Sequence, residues 1–263
     1  MFIVSASVVL LLYIVSSGFF IAVVTNDKKK LATLGVLAIG AGMLVHLASL
    51  ALLVSGQGFG SLLNIQHSLS VLALLLGVGF FVVRKLYQLH TIGSFVVPLM
   101  MLLQAVAVLA EPETAVDPEW RGTLLMLHIT CALLGTASFV LAALTSAFYL
   151  IQDHNLRRKK FGPLFNRLPS VDVLDRANVR LITVGFPIYT VGIGLGAYWA
   201  WSSTSSLQVQ YLFAMLSWLI YAAILQARIT IGWRGRRAAM LTLLGLVGLG
   251  AVLSSYLVRS TQM

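Results

Sequence analysis

Eight apolar stretches, each about as long as a bilayer is thick, restrict the fold of this chain more than any motif does. They are 2–24, 31–54, 67–83, 91–110, 124–151, 181–201, 209–227 and 240–258, joined by short connections. A helix rises about 1.5 Å per residue, so about 20 such residues cross a hydrocarbon core of about 30 Å with every backbone group bonded internally. The 263 residues are 59% hydrophobic and 10% charged, with a mean hydropathy of +0.94, which a water-soluble domain of ordinary composition does not approach. The expected fold is therefore all-α: a polytopic integral membrane bundle of eight transmembrane helices, forming a single domain over 1–263. The first run has no basic residue before it and no small-residue cleavage site, and it reads as a retained span.

A net charge of +10 would suit nucleic acid, but the placement of the charge decides otherwise. Lys28, Lys29 and Lys30 follow the first run, and Arg84 and Lys85 follow the third. Arg157, Arg158, Lys159, Lys160, Arg167, Arg176 and Arg180 follow the fifth, and Arg228, Arg234, Arg236 and Arg237 follow the seventh. Arg121 and Arg259 alone fall on the opposite side. The positive-inside rule makes those four connections cytoplasmic and puts both termini outside, with lipid rather than nucleic acid beside the charge. In the longest connection, Leu168, Pro169 and Ser170 followed by Asp172 mark a helix start with Ser170 as cap, so the sixth helix begins in the cytoplasm. Gly192, Gly194 and Gly196 offer that helix a surface for close approach to a neighbour.

Two histidines lie inside the apolar runs. His46 is eight residues before the end of the second run, and His128 is four past the start of the fifth. The two runs cross in opposite directions, so both imidazoles fall in the outer half of the membrane, His46 about 12 Å below its boundary. His67 opens the third run at the outer surface, placed to join them; His90 and His154 lie on the cytoplasmic side. A buried imidazole loses its hydration and needs a partner. Two neutral rings across a cavity between helices suit the axial positions of a b-type heme, whose macrocycle also needs aromatic and aliphatic walls. A proton relay or a plain hydrogen-bonded pair uses the same residues equally well. A proton-coupled transporter lacks its intramembrane carboxylate, and zinc lacks three or four converging ligands. Cys131, the only cysteine, rules out an internal disulfide and, one turn from His128, reads as packing.

From the fifth run onward the residues resemble the cytochrome c assembly family, the CcsA, CcmC and HemX group of heme-handling membrane proteins. The resemblance is carried by "LHITCALLGTASFVLAALTSAFYLIQ" from Leu127, "LPSVDVLDRANVRLITVGFPIYTVGIGLGAYWAW" from Leu168 and "SWLIYAAILQARITIGWRGRRAA" from Ser217. "HLASLALLV" from His46 and "NIQHSLSVLALLLG" from Asn64 resemble the N-terminal part of the CcsA-type pattern. It implies eight spans, heme held by histidines near the outer face, and a tryptophan-rich outer segment beside it. Carried over by residue, His128 falls on the family's first external heme-ligand histidine and His46 on the intramembrane histidine of the second span. Trp199, Trp201 and Trp218 fall on the aromatic framework, although interfacial anchoring also predicts the positions of Trp199 and Trp201.

The departures from the pattern are specific. Ser202 and Ser203 stand where the family's Trp-Asp-Pro run continues, Gln226 stands where synthetase members have a histidine, and Ser254 replaces the second external histidine. That pattern resembles most the HemX-like and YpjD-like branch. The implied protein is a multi-pass, bacterial inner-membrane protein that binds or transfers heme b without catalytic turnover, with His46 and His128 as iron ligands. A reading of another class makes it an accessory or regulatory subunit. Its basic loops, 152–175 and 228–237, would then bind a tetrapyrrole enzyme or a neighbouring membrane transporter.

Overall fold

A computed structural model describes residues 2–26, 29–110, 121–159, 162, 165, 167–203 and 209–260. The acidic connection 111–120 and the serine-rich connection 204–208 lie outside the described residues, as does the side chain of Trp199. Among the described residues there are eight long α-helices: α1 (Phe2–Asn26), α2 (Lys29–Gln57), α3 (Ile65–Tyr87), α4 (Gly93–Leu109), α5 (Arg121–Arg157), α6 (Val171–Ser203), α7 (Val209–Thr230) and α8 (Arg236–Ser260). Seven are long and apolar enough to cross a membrane. The remaining one, α4, has 17 residues and is extended by a short 3-10 turn, His90–Ile92. The chain is a multi-pass helical membrane bundle, as its apolar runs predict.

Helix ends differ from run ends, because polarity marks where lipid stops and not where the backbone ladder stops. The 37 residues of α5 make a helix of about 55 Å, which continues past residue 151 into polar sequence. There Asp153 and Arg157 face each other one turn apart at 2.9 Å. Likewise α6 begins at Val171, ten residues before its apolar run, with Ser170 O accepting from Val173 and Leu174.

The helices pack as two groups. In the first, α1 lies against α2 and α4, and α3 against α4; in the second, α5 lies against α6 and α8, and α7 against α8. The groups meet chiefly through α3 and α5. Tyr13, Phe20, Ile39, Leu76, Phe80 and Met100 fill the first core, while Phe139, Ile182, Tyr189 and Tyr221 fill the second. In lipid, apolar burial gives helices little reason to associate, so close backbone approach must hold them together. The α5–α6 seam shows how: a Cβ added at Gly135 would strike Tyr189, at Gly185 Ser138, at Gly192 the backbone of Ala132, and at Gly196 the ring of His128. Of the three glycines expected to pack, Gly194 is the exception, with nothing within 4 Å of an added Cβ.

The basic ends of the helices are tied to one another. Arg167 Nη1 donates to Val23 O at 2.9 Å, and Thr91 Oγ1 donates to Arg167 O at 2.8 Å. Arg228 clasps Asp175 with two nitrogens at 3.1 and 2.6 Å, and Gly235 N–H donates to the same carboxylate at 3.2 Å. Asp175 thereby fastens α6 to the turn between α7 and α8, where Gly235 holds a left-handed φ of 72°.

Candidate functional site

The sequence places His46 and His128 at similar depth, and the surroundings of the two rings decide what each can do. His46 is 1% exposed, in the core of the first group. The Ser70 hydroxyl donates to Gln104 Oε1 at 2.9 Å, and Gln104 Nε2 donates to Ala6 O at 3.4 Å. Ser70 has one proton, so its oxygen accepts from His46 Nε2–H at 2.7 Å. His46 Nδ1 is then the bare nitrogen, and it accepts from the Tyr13 hydroxyl at 2.9 Å. Tyr13 in α1, His46 in α2, Ser70 in α3 and Gln104 in α4 form a directed series that returns to α1 at Ala6. Both nitrogens of His46 are engaged, and its ring meets Tyr13 edge-on, with centroids 5.9 Å apart.

His128 is half-buried on the α5–α6 seam. Its Nδ1 lies 2.6 Å from Gly192 O, and a carbonyl can only accept, so the proton is on Nδ1 and Nε2 carries the lone pair. Gly192 and Gly196 make room for this ring, the first by admitting the backbone of α5 and the second by lying beneath the imidazole. Outer-shell carbonyls of this kind orient metal-binding histidines and set their tautomer. His128 therefore fits an iron ligand as it stands, whereas His46 does so only if Tyr13 withdraws from Nδ1. Each of the two rings expected to share an iron is hydrogen-bonded within its own helical group. Ser70 of α3 holds His46, and α3 packs against α5, whose His128 faces α6 instead.

The tryptophans divide similarly. Trp201 lies in the last turn of α6 and is 92% exposed. Trp218 in α7 donates from Nε1 to Thr190 Oγ1 at 2.9 Å and stacks on Phe186 at 5.6 Å between centroids. Thr190 is two residues from Gly192, about 200° around α6, so Trp218 and His128 meet that helix from different sides. Among the described residues no group of three His, Cys, Asp or Glu side chains could hold a metal ion.

Two polar clusters went unread in the sequence. One is the series around His46; its signal was Tyr13, Ser70 and Gln104 inside apolar runs. The other is Asn178, buried in α6, whose Nδ2 donates to Ser146 Oγ at 2.6 Å and Ala142 O at 3.0 Å in α5.

The fold is that of a multi-pass helical membrane protein, and its site is one imidazole oriented by a backbone carbonyl with Nε2 as the bare nitrogen. The match to known families narrows this: the model of the cytochrome C assembly protein family covers residues 3–263, and the chain belongs to that family. It is 30% identical to the cytochrome c biogenesis protein CcsA of Mesostigma viride, over 78% of this chain and 78% of that one. CcsA of Porphyra purpurea is 29% identical over 77% and 78%, and CcsA of Prochlorococcus marinus (strain MIT 9301) 30% over 69% and 68%. These relatives carry the CcsA name, so they lend nothing to the narrower HemX-like placement. No solved structure matches the chain.

Proposed function

We propose that this protein handles heme in cytochrome c biogenesis, as a multi-pass protein of a bacterial inner membrane, without catalytic turnover. Family membership over the whole chain supports the role, and one observation carries the site: the Nδ1–H of His128 is held by Gly192 O, which leaves the Nε2 lone pair to coordinate iron. The cargo would be heme b, whose iron His128 would hold near the periplasmic face, joined by His46 on release of its Tyr13 hydrogen bond. Trp201, exposed about one and a half turns beyond Gly196, is placed to wall the macrocycle from the aqueous side, with Trp218 bracing α6 from behind.

The purified full-length protein supplied with hemin is expected to show a low-spin band on reduction, and His128→Ala is expected to lose it. A His128→Ala protein with an unaltered spectrum would refute the assignment.

The accessory-subunit reading is less favoured, because several charges of the basic loops are used inside the molecule. Arg228 is paired with Asp175, Arg157 with Asp153, and Arg167 binds the end of α1.

A further inference from the structure

Arg84, in the last turn of α3, is half-buried, and its Nη1 is covered and donates to no group among the described residues. An ionised donor left covered and unpaired is costly, and an arriving anion removes that cost. The helices around it indicate which anion. Gly77 lies two turns before Arg84 on the same side of α3, and a Cβ added there would strike Met43 of α2 and Met100 of α4. Arg84 therefore stands on the side of α3 that meets α2 and α4. Lys85, exposed, follows Leu74, Val78 and Phe81 at spacings of four, three and four, so these four share a neighbouring side.

That side opens on a groove of about 430 Å³, walled by Leu74, Val78 and Phe81 of α3 and by Gly40, Met43 and Leu47 of α2. It exists because α2 lies along α1 and touches α3 far less. Every one of these wall residues is apolar, so the groove suits hydrocarbon. Its length selects the kind of hydrocarbon. From Leu74 to Phe81, and from Gly40 to Leu47, it runs about 10 Å, and Lys85 lies about 6 Å further toward the basic end. The total of about 16 Å matches one leaflet of a core about 30 Å thick. A partner's spanning helix would need a track about twice as long, whereas a single acyl chain needs no more than this. Charge complementarity then selects the headgroup, because a chain in the groove brings its phosphate to the level of Arg84 and Lys85.

We propose that the α2–α3 groove binds one anionic phospholipid from the leaflet at the basic end, with an acyl chain between the helices and the phosphate held by Arg84 and Lys85. The chain supplies the packing that α2 and α3 do not give each other. The site does not depend on the heme reading above.

The test is native mass spectrometry of the full-length protein in detergent, titrated with phosphatidylglycerol or with phosphatidylcholine of the same chains. Wild type is expected to retain one phosphatidylglycerol in preference to phosphatidylcholine. Arg84→Gln is expected to lower that preference about fivefold, whereas Arg158→Gln, which removes an exposed charge after α5, leaves it unchanged. Nothing lies within 4 Å of a Cβ added at Gly40, so Gly40→Leu enters the groove without disturbing the helices and is expected to expel the lipid with both charges in place. Glycerol 3-phosphate, which has the anion without the chain, is expected not to compete. Equal retention of the two lipids, an equal loss in Arg84→Gln and Arg158→Gln, or competition by glycerol 3-phosphate overturns the site. Full retention in Gly40→Leu removes the chain from the groove, and if that variant instead breaks a dimer of the chain, the groove belongs to a helix.

Discussion

The two helical groups each bury an intramembrane imidazole and treat it in opposite ways. In α1–α4, His46 has a donor on one side and an acceptor on the other, and the hydrogen bonds pass through all four helices before ending on Ala6 O. In α5–α6, His128 is held by a single backbone carbonyl between glycines. A ring with both nitrogens bonded acts as an internal tie; a ring fixed at one nitrogen is an oriented ligand. A histidine inside an apolar run does not by itself distinguish the two cases. Counting protons on the neighbouring groups does.

If that contrast is right, removing each side chain should have different consequences. The largest loss of stability is expected for His46→Ala, which removes two hydrogen bonds, leaves Tyr13 and Ser70 short of a partner, and opens a cavity. About 2–4 kcal/mol is expected, read as a lower melting point in detergent. His46→Gln, able to donate and accept, should restore part of it, and a His46→Ala protein as stable as wild type would leave the series no structural role. Next comes Gly196→Val, which pushes into the His128 ring. It should cost about 1–3 kcal/mol by overpacking the α5–α6 seam and should disturb the heme spectrum along with stability. An undisturbed spectrum would mean that α6 does not orient His128.

Asp175→Asn tests a tie outside either imidazole site. It weakens the two-nitrogen clasp with Arg228 and is expected to cost about 1 kcal/mol, with heme binding unchanged. Loss of heme in this variant would link the basic end to the outer site and blur the division drawn between them. The smallest effect is expected for Tyr13→Phe, about 0.5–1.5 kcal/mol from a single interhelical hydrogen bond. Its spectrum carries more information than its stability, because it bares His46 Nδ1 while keeping the ring in place. If heme binding rises markedly in Tyr13→Phe, His46 is an iron ligand held in reserve, and the contrast between the groups weakens.

The same residues show how far the sequence could be read. Eight apolar runs and the alternation of Lys and Arg were visible in one dimension, because a bilayer imposes length and charge placement on each segment separately. The resemblance at His128 and the segments after it was equally local. Helix ends were less legible: α5 reaches Arg157 and α6 starts at Val171, since a backbone ladder continues through polar sequence that the membrane does not require. The glycines of α6 were read as packing residues, yet nothing in their spacing separated Gly192 and Gly196 from Gly194. That depended on which side of α6 met α5.

The sequence by itself determined a multi-pass helical protein with two histidines inside its apolar runs, and the likeness of its residues to the cytochrome c assembly family pointed to that family. Solvent transfer acts residue by residue, so composition was enough for the spans. Only the tertiary structure decided which imidazole kept a lone pair for a ligand. Tyr13 and Ser70 reach His46 from two other helices, Gln104 of a third takes the Ser70 proton, and Gly192 reaches His128 across the seam. A ring's tautomer is set by partners far away in the chain, and packing alone brings them within hydrogen-bond distance.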